Sequence, residues 1–137
     1  MRRTFLWINF VLASLIVPLI FLQAYLIASY AMGAGEGALD AHGIVGGLFI
    51  HGFELLVFLT AFGAWPKQWR WIGVTFGLFV LGTVQIFLLP PDEDPGSAWV
   101  HGLHGLFALF VLVYAAYIVK RDRELLRTDP MAAAPVA

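Results

Sequence analysis

The sequence predicts an all-α protein, an integral membrane four-helix bundle, and three observations support that prediction. First, 61% of the 137 residues are hydrophobic and only 12% are charged, a balance typical of a membrane domain. Second, the chain contains four apolar stretches of about the 20 residues that a helix needs to cross the hydrocarbon core. Third, the loops between these stretches are short, so consecutive helices should pack antiparallel, in an up-down-up-down bundle.

The four predicted helices cover about residues 5–30, 41–64, 71–89 and 98–119. They form a transmembrane domain over residues 1–120. The remaining residues, 121–137, are first polar and then rich in Pro and Ala, and we expect them to be a disordered tail. Little of the chain lies outside the helices, which leaves no room for a soluble catalytic domain.

Basic residues are confined to one side of the predicted bundle. All eight basic residues lie near the termini or in the loop between helices 2 and 3, whereas the other two loops carry only acids. The positive-inside rule then places both termini in the cytoplasm. We therefore expect a multi-pass protein of the bacterial cytoplasmic (inner) membrane.

Composition also excludes several classes of function. The chain has no cysteine, which excludes disulfides, thiolate metal sites and cysteine nucleophiles. The sequence contains no Gly-rich phosphate loop after a strand and no basic aromatic surface, so neither a nucleotide nor a nucleic acid is an expected partner.

An internal repeat relates the two halves of the predicted bundle. Gln23 and His42 are 19 residues apart, Gln85 and His104 are also 19 residues apart, and 62 residues separate the two pairs. Each Gln lies late in one helix, and each His lies at the start of the next. If the halves pack as equivalent two-helix hairpins, the imidazoles meet at one depth near the external face.

Two imidazoles on facing parallel helices suit a b-type haem, because neutral imidazole is a good ligand for iron. Small residues beside the histidines (Gly43, Gly46 and Gly105) would leave space for a macrocycle. Gln23 and Gln85 are the expected hydrogen-bond partners that orient the ligands. Two alternatives remain open: the histidines could serve only as interhelical hydrogen-bonding groups, or they could bind another metal.

Three further polar residues lie in or near the predicted helices. His101, one turn before His104, could be the ligand itself, an interfacial residue or, as we favour, a partner for a haem propionate. His51 and Glu54 form a second polar pair, suited to a proton relay, a quinone site, a subunit contact or simple helix packing. Nine residues separate His51 from His42, so an ideal α-helix would place them on opposite sides.

With these motifs the chain resembles the small four-helix b-haem membrane proteins, namely one half of a haem A synthase or a reduced cytochrome b561-type bundle. It is also similar to short bacterial four-span proteins with a His-Gly motif at the head of helix 2 and a Leu-His motif in helix 4. The matching segments are Ala41-His42-Gly43 and Leu103-His104-Gly105. The resemblance implies a four-helix membrane fold with haem b held by axial histidines.

Two differences narrow what the resemblance implies. Haem A synthase has an essential Glu shortly before a His on helix 2, whereas here Glu54 follows His51. Cytochrome b561 proteins usually hold one haem on each side of the membrane, whereas this chain has no His near the cytoplasmic side. We therefore expect one haem near the external face, and electron transfer or a haem-bearing role in a respiratory assembly rather than stand-alone catalysis.

The expected partners follow from the same interpretation. They are membrane lipid, a partner subunit or second copy of the chain, and a quinone at the pair formed by His51 and Glu54. Two rival hypotheses are a cofactor-free accessory or scaffold subunit of a membrane complex, and a transporter component built around that pair.

Overall fold

The computed structural model describes residues 1–88 and 98–128, and of residues 98–101 it describes only the backbone. Four helices make up this part of the chain: α1 (Arg2–Ala31), α2 (Glu36–Ala64), α3 (Trp69–Phe87) and α4 (Ala98–Thr128). The described residues contain no strand, so the all-α prediction is confirmed. Each helix contains a stretch long and apolar enough to cross a membrane.

Hydrogen bonds at both ends show that α1 and α2 are antiparallel. Near the start of α1, Arg2 Nε donates to the carbonyl oxygen of Ala64 at 3.3 Å, at the end of α2. Near the other end of α1, Gln23 Nε2 donates to the carbonyl oxygen of His42 at 2.9 Å. The short Gly-rich turn between the helices requires this arrangement.

The second half repeats this arrangement. At one end of α3, the ring of Trp71 packs against that of Tyr117 on α4, with centroids 5.4 Å apart. At the other end, Gln85 Nε2 donates a hydrogen bond to the carbonyl oxygen of His104. Helices α1 and α3 each pack against both α2 and α4. Helices α2 and α4 therefore occupy opposite corners of the bundle, and residues on their inner faces meet across its axis.

A π-helical segment interrupts α2, which the sequence did not predict. Residues Val45–Ile50 form a π-helix between two α-helical parts, Glu36–Ile44 and His51–Ala64. A π turn takes up one residue more than an α turn, so it rotates everything after it by about 100° relative to an unbroken α-helix. Such segments are frequent at functional sites.

Helix α2 begins at Glu36, before the predicted start at residue 41. The preceding Gly35 has a φ of 85°, a left-handed conformation that glycine adopts without steric cost. An acidic side chain at Glu36 then interacts favourably with the positive end of the helix dipole.

Helix α4 continues to Thr128, past its predicted end, so residues 121–128 of the predicted disordered tail are helical. Leu125 and Leu126 pack against the core, which anchors this extension. Arg121 and Glu124 add an ion pair one turn apart, with an N–O distance of 3.6 Å. The rest of the predicted tail, 129–137, and the predicted second external loop lie outside the described residues.

Buried side chains are concentrated in the half of the bundle where α1 begins and α2 ends. They include large apolar groups such as Leu6, Ile16, Trp65, Leu78 and Ile118. Over residues 21–49, by contrast, no side chain is buried. The bundle is therefore tightly packed in one half and open in the other, and the open half contains both repeated Gln–His pairs.

Candidate functional site

A cavity in the open half of the bundle brings together residues from all four helices. The cavity encloses about 130 Å³, less than typical small-molecule pockets hold. Four glycines line it: Gly43, Gly46, Gly47 and Gly82. Its polar lining comes from Gln23, His42, His51, Glu54, Gln85 and His104.

The two repeated histidines meet across the bundle axis, as the repeat predicts. The ring centroids of His42 and His104 are 6.1 Å apart, and the ring planes are inclined at 53°. Two imidazoles on opposite sides of one metal ion, each about 2 Å from it through a ring nitrogen, have centroids about 6 Å apart. The separation therefore matches that of a shared axial-ligand pair.

Each histidine is held by its glutamine through two reciprocal hydrogen bonds. In the first Gln–His pair, His42 Nδ1 lies 3.2 Å from the backbone oxygen of Gln23, whose Nε2 donates to the backbone oxygen of His42 at 2.9 Å. In the second Gln–His pair, Gln85 and His104, the corresponding distances are 2.9 and 3.0 Å. The internal repeat is therefore also a structural repeat.

These bonds determine which ring nitrogen is free. A carbonyl oxygen can only accept, so Nδ1 of each histidine carries the hydrogen. In the neutral ring Nε2 is then unprotonated and can bind a metal. The glutamines are hydrogen-bond partners of the histidines, as predicted. The acceptor of each Nδ1–H is the backbone carbonyl of the glutamine, and the side-chain amide of the glutamine donates to the backbone oxygen of the histidine.

The predicted small residues have different surroundings. A Cβ at Gly46 would contact the amide of Gln23, so Gly46 makes room for that side chain. Gly43 lines the cavity with open space around it, as does Gly47. Gly105 is exposed and is not part of the cavity lining, so its role beside a cofactor stays a prediction.

His51 and Glu54 line the same cavity as His42, so the prediction that His51 lies on the opposite side of its helix was wrong. The π-helical segment is the physical reason: it rotates the second part of α2 and turns this pair inward. His51 Nδ1 lies 3.0 Å from Glu54 Oε2, and the imidazole stacks on Phe79 with centroids 5.1 Å apart.

Gly82 on α3 is a site residue that sequence reasoning missed. A Cβ at this position would overlap the carboxyl group of Glu54, which is 0% exposed. The repeat-equivalent residues are Ala116 for Glu54 and Ile20 for Gly82. In one half a long side chain, Glu54, lies against a glycine. In the other half the equivalent positions hold a small residue, Ala116, and a large one, Ile20. An alignment of the two halves would have revealed this exchange of a large and a small residue.

Asn9 is a second buried polar residue that sequence reasoning missed. Its Nδ2 donates to the carbonyl oxygen of Val57 at 2.7 Å and to Thr60 Oγ1 at 2.8 Å. These bonds join α1 to α2 within the closely packed half, outside the cavity. The side chain of His101 lies outside the described part of the structure.

No three or more His, Cys, Asp or Glu side chains gather into a metal site within residues 1–88 and 102–128. His42 and His104 are two imidazoles whose Nε2 atoms are available to a metal ion or cofactor. Comparison with protein-family models, with curated proteins and with solved structures finds no match to this chain.

Proposed function

We propose that the protein is a small integral membrane b-type cytochrome that binds one haem b between His42 and His104. The supporting observation is the pair of neighbouring imidazoles, with ring centroids 6.1 Å apart and each Nδ1 engaged by a backbone carbonyl. Both unprotonated Nε2 atoms then remain for the iron. With the positive-inside distribution of charge, the haem lies near the external face of the bacterial cytoplasmic membrane and both termini are cytoplasmic.

The ligand chemistry of the two histidines fits such a group. They lie on opposite corners of the bundle, so the point midway between them falls near its axis, inside the cavity. Gly43 and Gly47 line the cavity without a side chain and are exposed, so the cavity of about 130 Å³ would have to widen there, towards the bundle surface, to take a macrocycle. A bound haem supplies one-electron redox chemistry, and the chain supplies its ligands, their orientation and an apolar enclosure.

If His42 and His104 both hold the iron, electron transfer is favoured over catalysis at that iron. No coordination position would then remain for a substrate, whereas haem enzymes keep one position open. We therefore propose that it transfers electrons to or from a partner, or serves as a haem-bearing subunit of a respiratory assembly.

The alternative is a cofactor-free accessory or scaffold subunit, and the reciprocal hydrogen bonds of the Gln–His pairs favour it. They join α1 to α2 and α3 to α4, as interhelical polar contacts do in membrane bundles. In that case the two imidazoles approach one another only because both pairs stabilise the same level of the bundle.

A visible spectrum distinguishes the two functions. The full chain would be purified from haem-replete cells, and a dithionite-reduced minus oxidised spectrum recorded with a pyridine haemochrome assay. The cytochrome hypothesis predicts a sharp α band and about one haem per chain, the stoichiometry of a single bis-histidine site. A colourless protein that also fails to take up added haemin would contradict it and favour the scaffold.

A further inference from the structure

His51 and Glu54 form a second polar centre in the cavity, which the proposed haem ligation does not use. Glu54 is 0% exposed, and its Oε2 lies 3.0 Å from His51 Nδ1. Its other oxygen, Oε1, is buried and has no hydrogen-bond partner among residues 1–88 and 102–128. A carboxylate enclosed by apolar helices is unfavourable unless its charge is compensated, so ionisable residues at such depth are functional candidates.

The space around the Glu54 carboxyl group is so small that only a very small ligand fits there. Gly82 lies so close that even a methyl group there would overlap Glu54, and Oε1 is closed to water. No hydroxyl or amine of a bound molecule can therefore reach Oε1 without rearrangement. His51, by contrast, keeps 23% of its side chain exposed and lines the cavity, so its imidazole can pass a proton between the cavity and Glu54.

Only two other titratable groups line this cavity in the described part of the chain: His42 on α2 and His104 on α4. The lining residues of α1 (Ile20 and Gln23) and of α3 (Gly82, Gln85 and Ile86) do not titrate. Glu54, where the proton binds, follows His42 by twelve residues, about 18 Å along an α-helix. At an effective dielectric constant of about 20, a unit charge at that distance changes the proton affinity about five-fold.

We propose that Glu54 and His51 form a proton-binding site whose occupancy is coupled to the charge at the pair of His42 and His104. The coupling rests on the proposed haem function. A haem held by His42 and His104 would take one electron from a reduced donor and so add one negative charge to the cavity. The proton affinity of Glu54 would then rise, and a proton from solvent, passed through His51, would form an O–H bond on a larger fraction of the Glu54 carboxylates, which compensates part of that charge. Oxidation would reverse both transfers.

The first test needs no cofactor. The full chain, labelled with ¹³C-glutamate and reconstituted in lipid nanodiscs without haem, is titrated with acid and base by infrared difference spectroscopy. We expect a carboxyl band that changes with pH, shifts in D2O and is absent from Glu54→Gln. The matched control is Glu124→Gln, which removes an exposed glutamate of α4 and should keep the band. Absence of a pH-dependent band specific to Glu54 would overturn the proposal.

A second variant guards against misfolding of Glu54→Gln. His51→Asn keeps the carboxyl group but removes the imidazole that shares its proton, so the Glu54 band should remain and change at a different pH. An unchanged titration in His51→Asn would show that the two residues do not act together, which also contradicts the proposal.

The second test uses the haem-loaded chain and measures its midpoint potential over a range of pH. Coupling of this size predicts a potential that falls with rising pH, by at most about half a proton per electron, in the wild type and in Glu124→Gln. The slope should be lost in Glu54→Gln. A pH-independent wild-type potential would overturn the coupling, as would an equal slope in Glu54→Gln. If no haem binds, the proposed function fails, while the infrared titration still decides whether Glu54 exchanges a proton.

Discussion

The two halves of the bundle share one polar contact and differ in another. Both Gln–His pairs make the same two hydrogen bonds between consecutive helices. Glu54, held beside Gly82, has no counterpart, because the equivalent positions are Ala116 and Ile20. The symmetric contact places equal groups on either side of the bundle axis, as a shared ligand requires. The asymmetric contact gives one interface a carboxyl group that the other lacks.

A second difference lies in the closely packed half. Asn9 joins α1 to α2 by hydrogen bonds to Val57 and Thr60. Its repeat-equivalent is Trp71, which instead packs on Tyr117 and lies under the Arg121 guanidinium, 5.0 Å from its ring centroid. One hairpin is thus joined there by a buried amide, and the other by aromatic and cation–π contacts. Of the three levels compared among the described residues, the Gln–His level is the one with the same chemistry in both halves.

The largest effect that we expect comes from breaking the symmetric contact. His42→Ala and His104→Ala should each lower haem affinity by at least about 100-fold, because loss of a partner that merely orients a ligand already costs 10- to 100-fold. Titration of the apoprotein with haemin, followed by absorbance, measures this. His51→Ala, which removes another imidazole from the same cavity, is the matched control and should bind haem normally. Equal losses in all three variants would contradict axial ligation by the repeated pair.

The next largest effect concerns the asymmetric contact. Gly82→Ala should destabilise the fold by about 1–3 kcal/mol, because the new methyl group overlaps the Glu54 carboxyl. Gly73→Ala on the same helix meets nothing within 4 Å and should be neutral or stabilising by up to about 1 kcal/mol. Unfolding by SDS in mixed micelles, monitored by circular dichroism, gives both values.

A double variant sharpens the comparison between halves. Glu54→Ala removes the carboxyl group that the new methyl group of Gly82→Ala would overlap. The two substitutions should therefore show a coupling free energy of about 0.5–3 kcal/mol. The double variant should be more stable than Gly82→Ala alone, because it brings this interface closer to the Ala116 and Ile20 combination of the other half. Strict additivity would mean that the two side chains do not compete for one space.

A smaller effect is expected at Asn9. Asn9→Ala removes two donated hydrogen bonds and should lower the free energy of unfolding by about 1–2 kcal/mol, with haem binding unchanged. Thr60→Val removes only one of the two acceptors and should cost less. If Asn9→Ala abolished haem binding while the fold persisted, the separation between the packed half and the cavity would be wrong.

The sequence could predict the part of the site that depends on repetition. The equal spacing of the Gln–His pairs required the two imidazoles to meet, provided that the halves packed alike. It could not predict the π-helical segment. Helix α2 is apolar on nearly every face, so the positions of its hydrophobic residues do not reveal a change in the number of residues per turn. The helical continuation past Lys120 was also missed: its charges indicated a tail, while Leu125 and Leu126 anchor it to the core.

The smallest effects test the Gln–His pairs themselves. Gln23→Ala and Gln85→Ala each remove one side-chain hydrogen bond to a histidine backbone oxygen, so each should destabilise the fold by about 0.5–1.5 kcal/mol. Haem binding should persist in both, because the backbone carbonyls that accept from Nδ1 remain. Nearly equal losses would support the equivalence of the halves, and loss of haem in either variant would show that the amide itself orients the ligand.

The two halves also differ at the position of Gly46, beside the first Gln–His pair. A methyl group in Gly46→Ala would displace the Gln23 amide, so this variant should lose about the same 0.5–1.5 kcal/mol, less whatever alanine gains in helix propensity. In a Gln23→Ala background the same change should cost nothing further. The equivalent residue in the other half, Ala108, already carries a Cβ beside an intact Gln85–His104 pair. Gly46 is therefore a local adjustment around Gln23, and a cost that persisted without Gln23 would point instead to the π-helical backbone.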